Sequence, residues 1–468
     1  MAKLQPAALR DLSGGMVSFA SDVLIPDNAA KFSMNFHFDV VGKATQRDGT
    51  TLLGDVVSST HDCQGLFQHI AGGTNRLLSV FNGVVYAYNG TTWSSTNTVS
   101  SASAKVRFAD FIGYAFQVGG GSSPASWDGG SWGSTNLSGA PTTTLLAPYK
   151  DRLYLAGNST YPDRVFFSSI VSLSNTITWN QNTQYFDVNP DDHGNITALA
   201  VTSNVLLILK RHATYRWNGS GLFQLEGDAG TTSQESVALS PRGGLAFFFN
   251  ENGVYMTNGG YNMEVSRPIY DWVKAVDPTY YESVAGFCDA DHYYCSVGDI
   301  TKDGRTFSNV WFVYTLSSKN WGIYSFADSF RVLTRRQAAD GTITYVGGDT
   351  DGAVQTLFSG TTDNGAAIAY EHRSKRFEFG SRATTKEIKR MATFTEPAVG
   401  ATFSIDADGR GFKTVGQAKN PVSFIDSVNV GGRGLTFKMM GTNKGTPVVY
   451  EGFELIDWEN DGYVNATK

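Results

Sequence analysis

Cysteine is scarce in this chain. Cys63, Cys288 and Cys295 are the three in 468 residues, an odd number and too few for a disulfide framework, so the chain need not mature in an oxidising compartment. A cytosolic origin is expected. Charge is scarce too: 17% of residues are charged, and 37 basic against 43 acidic side chains leave a formal net charge of −6. Proteins that grip nucleic acid by neutralising phosphates are usually basic, so a DNA clamp is disfavoured, while contact with passing DNA without grip is compatible. Long apolar runs are absent, none approaching the roughly 20 residues that span a bilayer, and Met1-Ala2-Lys3-Leu4-Gln5-Pro6 lacks the apolar core of a leader. A soluble, unprocessed protein without membrane insertion is expected. Nor is there a G-x-S-x-G elbow, an H-E-x-x-H helix, a phosphate-binding glycine loop or a coiled-coil heptad pattern.

What abounds is the material of short strands. The chain holds 51 Gly, 21 Tyr, 30 Phe and 9 Trp, with many Thr and Ser. Aromatic and β-branched side chains pack well on a pleated surface, and glycine supplies the positive φ of hairpin turns. From about residue 60 to 365, alternating apolar runs end repeatedly in Asn-Gly or Asp-Gly. Val84 to Tyr88 runs into Asn89-Gly90, and Thr214 to Trp217 into Asn218-Gly219; both read as strands entering type I′ turns. Taking Asn89, Asp128, Asn180, Asn218 and Asn258 as anchors, the steps are 39, 52, 38 and 40 residues. That period, with several strands in each unit, predicts a β-propeller of four-stranded blades. Further hairpins follow from Val310 to Trp321 and from Thr344 to Leu357.

One segment breaks the pattern. Ile269, Trp272, Val273 and Val276 fall at helical spacing behind Pro268, predicting one short amphipathic helix between two blades. Before the repeat, residues 1–59 form an arm with its own turns, expected to pair with the later domain or with a neighbouring subunit. After it, residues 366–468 alternate and turn as a β-sandwich-like platform domain should. The fold class expected is all-β: a propeller at 60–365, an additional sandwich-like platform and an N-terminal arm. The basic residues Arg373, Lys375, Arg376, Arg382, Lys386, Lys389 and Arg390 crowd the start of the platform and are the candidate docking face for an acidic neighbour, against the plainer reading of a solvated strand pair.

No constellation reads as catalytic, metal-binding or cofactor-binding. Cys288, His292 and Cys295 lack a second ligand pair at zinc spacing, and in a strand His292 and Cys295 point to opposite faces. The turns Asp349-Thr350-Asp351-Gly352 and Asp406-Ala407-Asp408-Gly409 do not continue into the Glu a calcium loop needs. Ser126 to Trp132 comes one residue short of a sialidase Asp box and has no second copy.

Three stretches together resemble a group of tailed-phage virion proteins, the propeller-bearing nozzle or hub proteins of short tails. They are the arm, with Ser13-Gly14-Gly15, Pro26-Asp27-Asn28-Ala29 and Asn35 through Arg47-Asp48-Gly49; Asp151 to Asn158 with Asp163 to Ser168 and on to Tyr215; and Gly253-Val254-Tyr255 through the short helix to Cys295. The resemblance implies a non-enzymatic virion protein without cofactor. It implies a homo-oligomeric, sixfold ring extending the DNA channel below portal and adaptor, next to tail fibre or needle proteins. The alternative reading is a carbohydrate-binding or glycan-cleaving propeller at the host surface; a repeated Asp box or a convergent carboxylate pair would mark it, and the sequence displays neither.

Overall fold

The computed structural model describes residues 7–461 except 72, 193, 203, 243, 398 and 399. Within them the regular structure is almost all strand, ordered into seven radial blades and a sandwich. Blades 1 to 5 are four-stranded antiparallel sheets spanning 63–98, 106–133, 145–187, 196–224 and 238–264. Blade 6 spans 285–325, and blade 7 takes three strands from 330–357. Its fourth strand is Thr50–Leu52, which pairs with Val354–Leu357. The propeller is thereby closed by a strand from the opposite end of the chain, so residues 50–52, expected in the arm, are part of it.

The blades hold together by layers of apolar side chains between them. Ala109, Phe116 and Val118 of blade 2 meet Leu153, Leu155 and Phe166 of blade 3. Leu207 and Leu209 of blade 4 meet Ala246 and Phe248 of blade 5, and Leu66, Leu77 and Phe81 of blade 1 meet Val346 and Val354 of blade 7. Each blade buries both faces against its neighbours, which is why its central strands are continuous apolar runs such as Val205–Lys210 rather than strict alternations.

The anchors that set the period share one place. Asn89, Asp128, Asn180, Asn218 and Asn258 each follow the third strand and precede the fourth in blades 1 to 5. The long step of 52 to Asn180 comes from an excursion in blade 3, between the strands Arg164–Phe167 and Tyr185–Asp187, whose Val171 and Trp179 fold back on the core. The turns are not type I′, however. Gly90, Gly129 and Gly219 take positive φ while Asn89, Asp128 and Asn218 do not. Instead the Asn or Asp Oδ1 accepts the N–H groups two and three residues on: Thr91 and Thr92, Gly130 and Ser131, Ser220 and Gly221. The signal came from side-chain capping of a four-residue loop, not from the left-handed tolerance of Asn-Gly.

Between blades 5 and 6, a 3-10 turn at Arg267–Ile269 runs into the helix Tyr270–Val273, and Ile269, Trp272, Val273 and Val276 are all buried.

The sandwich is made by both ends of the chain. One sheet runs Phe36–His37, Ala44–Gln46, Val449–Asp461, Thr385–Glu396, Val422–Gly432, with Ala7–Leu9 also paired to Val449–Asp461. The facing sheet is Ala30–Met34, Ile368–Phe377, Leu435–Asn443, Thr402–Ala407, Phe412–Gln417, and Met34 pairs in parallel with Ile323 of blade 6. Blade 6 and this half of the sandwich are therefore one nine-stranded sheet. Leu9, Leu12, Phe36 and Phe38 lie in the same core as Phe403, Phe437, Phe453 and Leu455. The N-terminal segment pairs with the platform at Ala7–Leu9, Ala30–Met34 and Ala44–Gln46 and then closes the propeller.

Candidate functional site

The seven basic residues of the candidate docking face do not share a face. Arg373, Lys375 and Arg376 belong to the strand Ile368–Phe377, Lys386, Lys389 and Arg390 to Thr385–Glu396 in the opposite sheet, and Arg382 to the turn between. Each is also engaged within the chain. Arg373 donates to Glu371, Lys375 to Asp27 and the Ile25 carbonyl, Arg376 to Asp408 at 3.1 Å, and Arg382 to Glu378. Lys389 pairs with Glu459 and Arg390 with Asp426, both at 2.6 Å. Lys386 is fully buried and donates to the backbone carbonyls of Thr384 and Arg433 at 3.0 and 3.1 Å. A charge run in sequence becomes a dispersed, neutralised set because a turn sends its two halves into facing sheets.

One surface open to a partner is the far side of the sandwich. Val422–Gly432 ends one sheet and Phe412–Gln417 ends the other, and neither has a further strand beside it among the described residues. The two edges meet at Gly416, where an added Cβ would lie 2.9 Å from the Ile425 side chain, so only glycine lets the sheets approach this closely. Gly416, Ser423, Phe424, Ile425 and Asp426 line a groove of about 290 Å³ between them. Val422 and Phe424 are exposed at 47% and 57%, large apolar side chains on an edge strand that carries neither Lys nor Pro to discourage pairing. Sequence patterning singled out neither this strand nor its place, because which strand becomes the edge depends on pairings far away in the chain.

The propeller axis is closed. Arg107 of blade 2 reaches across to Glu235, Nε to Oε1 at 2.8 Å and Nη2 to Oε2 at 3.0 Å, among Phe67, Phe108, Leu146, Val332 and Leu333. Burial alone would raise the Glu235 carboxyl, but Arg107 and Lys105 hold it below the usual carboxylate range. The space left there is about 180 Å³, room for a few waters and far too little for a duplex.

The residues that raised a metal question have other uses. His292 stands between two carboxylates: Nε2 to Asp39 at 2.9 Å, and Nδ1 to Asp289 at 3.1 Å. Tyr294 also donates to Asp289. Cys295 lies on the other face of the strand in the apolar core, and burial pushes its thiol up to about 12. Asp349 Oδ1 accepts from the Asp351 and Ala353 amides, and Asp408 binds Arg376 and the Arg433 and Gly434 amides. Asp128 of the near Asp box caps its own hairpin. Among the described residues, no group of three or more His, Cys, Asp or Glu is placed to hold a metal ion. Among the same residues, no helix is long and apolar enough to cross a membrane.

No family model matches the chain, and no curated protein matches it. Among solved structures it is similar to Sqt1 of Saccharomyces cerevisiae, at 9% identity and a TM-score of 0.39, over 66% of this chain and 99% of that one. It is similar also to the CNH domain of AfRom2, at 8% identity and a TM-score of 0.41, again over 66% of this chain and 99% of the other. At such identities the function has to be argued from this chain's own residues.

Proposed function

We propose that the chain is a structural virion protein, a subunit of the nozzle or hub ring of a short-tailed bacteriophage, extending the DNA channel below portal and adaptor. The observation that carries the reading is the open side of the sandwich. On a body whose propeller and platform share one sheet, two adjacent strand edges with exposed Val422 and Phe424 remain to pair with a second copy. The sequence resemblance supplies the class, and the sixfold stoichiometry follows from it. With the propeller axis closed by Arg107 and Glu235, passing double-stranded DNA runs through the ring formed by the subunits and not through any one propeller. The net charge of −6 suits that role, since a lumen that bound phosphates would hold the DNA back. The chain acts in the tail without catalysis or cofactor, made in the host cytoplasm, with adaptor or portal-side ring above and fibre or needle proteins beside it.

Electron microscopy of the particle, with an antibody against this chain, tests the proposal. Label at the tail tip is the expected result. Label on the head, or none on assembled particles, overturns it.

A further inference from the structure

Blade 3 carries an insertion that its neighbours lack. The third and fourth strands are joined by four residues in blades 1, 2, 4 and 5, at 89–92, 128–131, 218–221 and 258–261, but by seventeen in blade 3, at 168–184. The short loop is all the blade needs, and in repeat architectures such insertions collect the contacts with other molecules. This one is firmly held. Val171, Ile177 and Trp179 at its root pack with Leu137. Asn136, beyond the last strand of blade 2, clamps it: Oδ1 accepts the Ile177 amide at 3.2 Å and the carbonyl accepts Trp179 Nε1 at 2.9 Å. At the tip the Ser172 amide donates to the Thr176 carbonyl at 3.0 Å, and the Thr176 amide to Ser172 Oγ at 3.1 Å. Beyond that frame Ile170 is exposed and Leu173 fully so. No charged side chain stands between Arg164 and Asp187.

The sandwich offers a surface of matching character. A depression of about 420 Å³ lies on the outer face of the sheet that blade 6 does not share. Its apolar part is Phe394 with Val41, which is exposed in the turn between Phe36–His37 and Ala44–Gln46. Val422 stands directly opposite Phe394 on the edge strand, so the depression runs on into the open side of the sandwich. The charges around it are balanced, Arg10 pairing with Glu454 at 3.1 Å and Lys43 with Glu451. An uncharged apolar loop entering there strands no charge, whereas a charged one would bring an ion without a partner.

The two features are far apart in the molecule. The sandwich continues the sheet of blade 6 and receives its link to blade 7 through Thr50–Leu52. Consecutive blades are neighbours and blade 7 meets blade 1, so blade 3 lies three steps from both blade 6 and blade 7, the greatest separation seven blades allow. A contact between unlike surfaces at opposite ends repeats head to tail, and that is the kind of contact that generates rings of more than two copies. We propose that the blade 3 excursion docks into the sandwich depression of a second copy of this chain, with Leu173 and Ile170 as apolar anchors against Phe394 and Val41 and the ion pairs as a wet rim. The inference rests on the ring reading for the identity of the partner and deepens it, since it names the two unlike surfaces that such a ring requires.

Cysteine variants of the full chain test it. Leu173→Cys and Val41→Cys, mixed at submillimolar concentration and briefly oxidised with diamide, are expected to give a disulfide-linked dimer that peptide mapping assigns to position 173 of one copy and 41 of the other. Leu24→Cys, at a position about as exposed as Val41, replaces Val41→Cys as the control for random collision and should give at least tenfold less mixed product. Adding Ile170→Lys to the Leu173→Cys chain should lower the yield at least tenfold and leave the melting temperature unchanged, because Ile170 is exposed. The proposal is overturned if the mixed product does not exceed the Leu24→Cys control, in which case the excursion serves a different protein, or if the Ile170→Lys chain links as well as its parent. Failure of the tail reading shows separately, as missing label at the tail tip while the mixed dimer still forms in the purified protein.

Discussion

Arg47 grips Asp363 with both arms of its guanidinium, Nη1 to Oδ1 at 2.8 Å and Nη2 to Oδ2 at 2.7 Å, with the side chains 1% and 5% exposed. The remaining donors are used as well: Nε binds Asn35 Oδ1, Nη1 the Asp48 carbonyl and Nη2 the Ser325 carbonyl of blade 6. The plane lies 3.8 Å from the Phe326 ring centroid. One arginine thus ties the N-terminal segment, blade 6 and the exit from blade 7 at the seam between propeller and sandwich. Beside it, Gly49 passes so close to the Thr362 carbonyl that an added Cβ would lie 2.0 Å from the oxygen.

Removing one partner of a buried, fully bonded pair strands the other, which costs about 3–5 kcal/mol. Arg47→Met is therefore expected to lower the unfolding free energy by about that amount. Arg47→Lys should recover little, because a point charge cannot fill five directed bonds. Chemical denaturation checks both; a loss within experimental error for Arg47→Met would show the seam to be held otherwise.

The His292 clasp predicts a pH dependence. Burial alone would lower its pKa, but the bonds to Asp289 and Asp39 and their charges override that and raise it from 6.5 to about 10. The folded value lies above the unfolded one, so the contribution is complete below about pH 6.5 and fades as pH rises through about 10. Asp39 is shifted the other way: His292 and His37 outweigh its burial and depress it, so its contribution holds above its ordinary value of 3.8 and is lost as pH falls below that. Wild type minus His292→Gln, followed by denaturation from pH 6 to 10.5, should shrink steadily with rising pH. A flat difference would place the stabilisation elsewhere.

Thiol chemistry gives a third test. Cys63 and Cys295 are buried, and burial pushes both up to about 12, against Lys105 in the case of Cys63; Cys288 is raised well above its usual value for the same reason. Thiolate is the reactive form, so an aromatic disulfide reagent at pH 8 should titrate almost no thiol in the native protein and three after denaturation. Rapid modification of the native chain would mean that the blade interfaces open.

How far the sequence went depends on what each feature needed. The blade period was legible because each of blades 1 to 5 places an Asn or Asp between its third and fourth strands, a local requirement written locally. The helix after Pro268 was legible because Ile269, Trp272, Val273 and Val276 bury one face. The closure of blade 7 by Thr50–Leu52 was not, since three ordinary residues carry no mark of a partner some 300 positions away. Arg47 stood inside a noticed motif, yet its role needs Asp363 and Ser325, which only the fold brings near. The basic run from Arg373 to Arg390 misled for the same reason in reverse: closeness in sequence was undone by the turn that separates two facing sheets.

The last prediction concerns assembly. A nozzle has to form on one end of an existing particle, and rings closing freely in the cytosol would be lost to it, so contacts between copies should be modest and templated. The open sandwich side fits such a contact: an edge strand with two exposed apolar side chains offers main-chain pairing, while the N-terminal segment is tied into this chain's own sheets at Ala7–Leu9, Ala30–Met34 and Thr50–Leu52. The purified chain is therefore expected to be a monomer at micromolar concentration by light scattering and to form rings only when adaptor-bearing particles are added. Phe424→Lys places a charge on the exposed face of the edge strand and removes the contact of the Arg390 guanidinium, 5.1 Å over the Phe424 ring, at a cost of about 1 kcal/mol. It should leave the monomer folded and reduce ring formation on particles at least tenfold. A stable hexamer of the pure protein would refute the templating, and undiminished assembly by Phe424→Lys would move the contact to another face of the molecule.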